Sequence, residues 1–120
     1  MIDEPGRFPA EARITRPSDF QQVFASRLRS TDDKFQMIAR QNGLGRARLG
    51  CAFSKRWSPT AVARNRLKRI VRESFQRHYS ALGDLDIVVM ARRDLRATAN
   101  PELRDSLEGL WKKIAACVRS

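Results

Sequence analysis

The most pointed chemistry in this 120-residue chain lies in one run, Arg64-Asn65-Arg66-Leu67-Lys68-Arg69-Ile70-Val71-Arg72. On an α-helix, at about 100° per residue, Asn65, Lys68, Arg69 and Arg72 share one arc, with Arg64 and Arg66 on its shoulders. Leu67, Ile70, Val71, Ser74, Phe75 and His78 take the opposite, core-facing side. Ordinary solvated helix faces mix charge signs, because opposite charges three or four residues apart attract and like charges repel. Here Glu73 is the only nearby acid. A plain solvated face is the alternative, but crowded cations are better explained by a polyanion that relieves them. Arginine's planar fork suits phosphates and base edges. A membrane-surface helix would need the apolar face that the core already claims. The chemistry indicated is nucleic-acid binding.

The rest of the composition agrees. Lys and Arg number 24 against 13 Asp and Glu, for a net charge of +11. From Lys34 to Arg72 there are eleven basic residues and no acidic one, so this block holds the whole excess. A one-sign block is the footprint of a polyanion partner. Catalytic groups are sparse by comparison. A protein that cleaves RNA alone needs two positioned acid–base groups or a carboxylate cluster for metals. The chain has one histidine, His78, on the core-facing side, and Asp32-Asp33, Asp84 and Asp86 have unspecific spacing. No glycine-rich phosphate loop, serine–histidine pair or zinc spacing occurs. No catalytic residue and no metal site are therefore expected. Cys51 and Cys117 make no disulfide framework and are expected to be small core residues. No apolar run approaches the ~20 residues of a membrane span. Met1 to Arg13, with Asp3, Glu4, Glu11, Pro5 and Pro9, lacks a signal-peptide stretch and is expected to be a mobile leader on a cytoplasmic protein. Residues 14–120 are expected to form one domain.

The elements that must position these groups follow from periodicity. Pro17-Ser18-Asp19 starts a short helix, with Ser18 the expected cap and Phe20, Val23 and Phe24 on one face. Lys34 to Arg40 alternates as a half-buried strand, Phe35, Met37 and Ala39 on one side and Gln36, Ile38 and Arg40 on the other. A turn at Gln41 to Gly45 leads to a second strand, Arg46 to Ser54, expected antiparallel to the first. Leu49, Cys51 and Phe53 face the core, leaving Arg48, Gly50, Ala52 and Ser54 as an unusually flat opposite side. Ser58-Pro59 is expected to open the long helix, which runs to about Tyr79. Asp86 to Arg92 reads as a buried strand. Asn100-Pro101 caps a last helix carrying Leu103, Leu107, Leu110, Trp111, Ile114 and Val118 at helical spacing. This is an α+β domain, with helices packed on one face of a small sheet.

Ser54-Lys55-Arg56, Ala61-Val62-Ala63-Arg64-Asn65-Arg66-Leu67-Lys68-Arg69 and Arg72-Glu73-Ser74-Phe75 together resemble the signature of the bacterial ribonuclease P protein family. Further matches are Asp19-Phe20-Gln21-Gln22-Val23-Phe24 and Asp86-Ile87-Val88-Val89-Met90-Ala91-Arg92, so the likeness spans about residues 14 to 115. The resemblance implies a four-stranded mixed sheet, with a short extra strand near Leu28. It also implies a left-handed β-α-β crossover through the long helix, against the usual hand, as in a domain of a small-subunit ribosomal protein. In this family a catalytic RNA, using Mg²⁺, removes the 5′ leader of precursor tRNA, while the protein itself holds no cofactor. One protein per catalytic RNA is expected, with no membrane partner. Carried over by motif, Arg64, Asn65, Arg66, Lys68, Arg69 and Arg72 would grip the catalytic RNA, and Lys55 and Arg56 would add phosphate contacts. Phe20, Phe24, Ile38, Ala52, Ser54 and Arg92 would line a leader cleft, although Phe20 and Phe24 equally fit a packing stripe. The chain departs from the family pattern at Ile38, where a tyrosine is common, and at Trp57-Ser58-Pro59-Thr60, which replaces a glycine-containing turn. The alternative reading, a structural ribosomal-type RNA-binding protein, fits charge and fold but leaves the first-helix motif unexplained.

Overall fold

The computed structural model describes residues 10–119. In chain order the elements are α1 (Pro17–Phe24), β1 (Leu28–Thr31), β2 (Phe35–Gln41), β3 (Arg48–Cys51), α2 (Ala61–His78), β4 (Leu85–Ala91) and α3 (Asn100–Arg119), with 3-10 turns at Ala10–Ala12 and Ser80–Leu82. The four strands form one mixed sheet in the order β1-β2-β4-β3. The short strand implied near Leu28 is therefore present, pairing antiparallel with β2.

The expected adjacency of the strands at 34–40 and 46–54 is corrected. They run in opposite directions, but β4 lies between them, antiparallel to β2 and parallel to β3. Ile87, Val88 and Val89 are all buried, the signature of a strand covered on both faces. A parallel β3–β4 pair cannot be closed by a hairpin and needs a crossover, which α2 supplies. The segment after β2 passes over the end of β4, where the Asn42 N–H donates to the Asp84 carbonyl at 2.8 Å.

The helices also divide differently from expectation. One sheet face carries Phe35, Met37, Ala39, Leu49, Ile87 and Val89, packed beneath α2 and α3 with Phe75 and Trp111. The other face carries Ile38 and Val88, and α1 lies on it with Val23 and Phe20. Helices on one face is thus true of α2 and α3 only. The strand at 34–40 is covered on both sides, because Ile38 offers apolar surface on the face that was expected to be open. Among the described residues the buried polar side-chain atoms are paired. The Trp111 indole N–H donates to Ser74 Oγ at 2.7 Å, and Ser30 Oγ donates to the Leu110 carbonyl at 3.1 Å.

Both helix starts are shifted. α1 is preceded by Arg16, without a side-chain cap, and Pro17 rather than Ser18 sets its first turn. A proline has no N–H to leave unpaired there. α2 is capped by Thr60, whose hydroxyl accepts from the Ala63 N–H at 3.0 Å, so Ser58 and Pro59 precede the helix. Most of the expected mobile leader, residues 1–13, lies outside the described residues. Its last part is docked: Ala12 is buried, and Arg13 bridges to Leu49 at the exposed edge of β3.

Cys51 packs half-buried against the core, whereas Cys117 is exposed on α3 and is not the core residue expected. Burial pushes the Cys51 thiol up to about 11, against the opposing pull of Arg72 and Lys68. At pH 8 a thiol with so high a pKa is almost wholly protonated and unreactive. Brief treatment with iodoacetamide is expected to modify Cys117 and spare Cys51, read by peptide mass spectrometry. Equal labelling of both would contradict this placement.

Candidate nucleic-acid interface

The cations of α2 separate into three groups by what they touch. Asn65 and Arg69 are exposed on the outer face. Lys68 and Arg72 are half-buried and turn toward the sheet edge. Arg64 and Arg66 are turned inward. Arg64 Nη1 donates to the Ser58 carbonyl at 2.9 Å, pinning the loop before the helix. Arg66 Nε and Nη2 donate to Asn100 Oδ1 at 3.0 and 2.8 Å, and Nη1 to the Leu95 carbonyl at 3.1 Å. Arg66 Nη2 also donates to the Thr98 carbonyl. The guanidinium of Arg66 is therefore a brace between α2 and the start of α3. Expected on the binding face, Arg66 thus makes four donor contacts within the protein. Asn100, expected as a cap, gives its side-chain oxygen to Arg66.

Lys55 and Arg56 are exposed in the loop before α2, and the Arg56 guanidinium lies 4.7 Å from the centroid of the Trp57 ring. A cation over an indole face is a favourable electrostatic contact. It also leaves the charge at the protein surface.

Between α1, β3 and α2 lies a cleft of about 240 Å³. Lys68 and Arg72 form one wall, Phe20 with Arg13, Ile14 and Thr15 the other, and Leu49, Gly50 and Cys51 the floor. Gly50 lets the Phe20 ring approach the strand closely. A Cβ there would stand 2.7 Å from a ring carbon of Phe20, well inside contact distance. The flat strip expected along β3 is thus a seat for the Phe20 ring. Phe20 packs against the cluster that holds Ile38 and Val88, and its ring also lines the cleft. Phe24 is 39% exposed, its ring centroid 6.4 Å from that of Phe20.

The sheet beyond α1 continues this surface. Ala52 is half-buried there, with Ser54 and Arg92 exposed, and Arg92 Nη1 donates to the Asp32 carbonyl at 2.7 Å. Ile38 does not belong to the surface. It is only 2% exposed beneath α1, so its assignment as a lining residue is corrected to packing. Gln36 and Met90, paired in register and half-buried, occupy the open positions instead. They share the parity of Ile38 and Val88 along their strands, which was the signal available for finding them. Arg13 and Thr15 had no such signal, since their place depends on the bridge to β3.

Asp86, Asp32 and His78 are each engaged within the protein. Asp86 is fully buried and accepts from Arg48 and Asn42. Asp32 Oδ1 accepts from the backbone N–H groups of Lys34 and Phe35. His78 Nε2 lies 2.5 Å from Glu108 Oε2 across the α2–α3 contact. Among the described residues no group of three or more histidine, cysteine or acidic side chains is arranged to hold a metal ion. None of the helices among them is long and apolar enough to cross a membrane.

The surface is therefore a cationic helix face running into a cleft that offers an aromatic ring opposite two cations, the combination used for single-stranded nucleic acid. The family model for ribonuclease P matches residues 8–115. The ribonuclease P protein component of Thioalkalivibrio sulfidiphilus is 40% identical over 108 residues, covering 90% of each chain. The solved structure of the Staphylococcus aureus RNase P protein superposes with a TM-score of 0.77 at 31% identity, covering 84% of this chain and 93% of that one. That of the Thermotoga maritima RNase P protein gives 0.75 at 30% identity, covering 84% and 96%. With this match in sequence and in fold, the chain belongs to the ribonuclease P protein family.

Proposed function

We propose that this chain binds the catalytic RNA of ribonuclease P through the outer face of α2 and holds the 5′ leader of precursor tRNA in the cleft beside it. The carrying observation is the continuity of the two surfaces. Lys68 and Arg72 belong to the cationic helix and also wall the cleft that contains Phe20. Arg69 and Asn65 would face the catalytic RNA, with Lys55 and Arg56 extending the contact, while Phe20, Phe24, Ala52, Gln36 and Met90 would face leader bases. Ser54 and Arg92 stand at the far end of the open strip. Chemistry is assigned to the RNA with its Mg²⁺, and the protein supplies fixed cations that neutralise phosphate repulsion between two RNAs. One protein per RNA, acting in the cytoplasm, fits this division of labour. A structural role in the ribosome is not favoured, because the relatives compared are ribonuclease P components.

Reconstitution tests the reading. The protein with its cognate catalytic RNA is expected to process precursor tRNA at Mg²⁺ concentrations where that RNA alone is slow. Fixed protein cations should matter less as Mg²⁺ is raised, so the advantage should shrink. No stimulation at low Mg²⁺ would refute the assignment.

A further inference from the structure

We propose that Asp19, Arg48 and Asp86 form a positioning device that fixes α1, and through it Phe20, over the floor of the cleft. The inference rests on the leader reading above and deepens it. Asp86 is fully buried in β4. Arg48 of β3, its partner in the parallel register, donates from Nε to Oδ1 at 2.8 Å and from Nη2 to Oδ2 at 2.6 Å. Asn42 Nδ2 donates to the same carboxylate at 2.7 Å and to the Arg46 carbonyl at 3.0 Å. A two-pronged arginine–carboxylate contact fixes orientation as well as distance. The guanidinium is thereby anchored on the sheet instead of swinging on its stem.

From that anchor, Arg48 Nη2 reaches Asp19 Oδ2 at 3.5 Å. Asp19 lies in the first turn of α1, next to Phe20. Two residues along β3, on the same face, Gly50 receives the Phe20 ring. The helix is thus held at two adjacent points, one ionic and one steric, by residues two apart on a single strand. Its other hold on the sheet is the packing of Val23 and Phe20 on the cluster with Ile38 and Val88. Val23 is its only buried residue, and no side chain caps its start. A partly exposed ion pair adds little to stability, so the device acts on where α1 sits more than on whether the chain folds. It also explains why Arg48, within the one-sign block, turns inward with a side chain only 17% exposed.

The test uses holoenzyme reconstituted with catalytic RNA, and two substrates: precursor tRNA with a leader of several nucleotides, and one with a single-nucleotide leader. Asp19→Asn leaves the buried Arg48–Asp86 pair in place and keeps the shape of the side chain. It is expected to raise KM for the long-leader substrate about fivefold, the factor matching a pair worth about 1 kcal/mol. Its kcat, and its KM for the short-leader substrate, should match the unmodified protein. Asp19→Glu, which keeps the charge, should restore most of the loss. Phe20→Ala is measured in parallel. If Phe20→Ala impairs only the long-leader substrate while Asp19→Asn changes nothing, the positioning role is overturned and the leader reading stands. An Asp19→Asn loss shared equally by both substrates, with a lowered Tm, also overturns it, as a purely structural effect. If Phe20→Ala too fails to distinguish the substrates, the leader reading falls and the positioning role with it.

Discussion

Arg69→Glu is expected to weaken binding to the catalytic RNA by about 10²-fold at low salt, and to make the dependence of log K on log salt shallower by about one. Arg69 is exposed on α2 and takes part in no ion pair among the described residues. Reversing its charge would remove the proposed phosphate contact and add a repulsion, without disturbing the core. Arg66→Met is the informative companion. It removes donors to Asn100 Oδ1 and to the carbonyls of Leu95 and Thr98. Hydrogen bonds from a charged donor contribute about 1.5–3 kcal/mol each and do not add fully, so a loss of about 2–4 kcal/mol in stability is expected. Urea unfolding measures that loss, and filter binding across a salt series measures RNA affinity. The arrangement predicts opposite signatures: Arg69→Glu changes the salt slope with an unaltered unfolding midpoint, and Arg66→Met lowers the midpoint with the slope preserved. An unchanged slope in Arg69→Glu would remove the outer face of α2 from the interface.

This contrast marks where the sequence stops being informative. The helical period correctly separated Leu67, Ile70, Val71, Ser74 and Phe75 from Asn65 and Arg69, because burial along a helix is a local pattern. It also placed Arg66 on a shoulder of the cationic arc. Period alone could not show which way a shoulder residue turns. That depends on carbonyl groups near Leu95 and Thr98, about thirty residues away, brought in by the packing of α3. The same holds for the one-sign block as a whole. Arg48, Arg64 and Arg66 are all counted in its charge, yet each directs donors into the protein. A run of like charge reports a polyanion partner without reporting which of its members meet it.

Strand order was the other feature hidden from local reading. Gln41 to Gly45 resembles a hairpin turn, and Gly43 and Gly45 do adopt positive φ. The segment nevertheless crosses the end of β4, and Asn42 is engaged with Asp86. The signal that β4 is central was present in Ile87-Val88-Val89, apolar on both parities, and so was the apolar Ile38 that calls for a cover on the second face. Together they require α1 to lie opposite α2 and α3. The pairing of Arg48 with Asp86 becomes legible only once β3 and β4 are known to be parallel and in that register.

Phe20→Ala bears most directly on the cleft. Stacking of a base on an aromatic side chain contributes about 1–3 kcal/mol, so the holoenzyme is expected to lose about 5- to 150-fold in affinity for precursor tRNA. Affinity for mature tRNA, which has no leader to place in the cleft, should be nearly unchanged. The ring also packs against Ile38 and Val88, so some loss of stability is expected with it. The comparison of precursor with mature tRNA separates the two roles, because a destabilised protein would bind both less well in proportion. Phe20→Leu sharpens the test. Leucine keeps apolar packing over Gly50 but offers no π face to a base, so stability should largely return while the precursor preference stays low. Recovery of that preference in Phe20→Leu would mean that α1 shapes the cleft by packing alone, with the leader bases read by Gln36, Met90 and Ala52 across the open sheet.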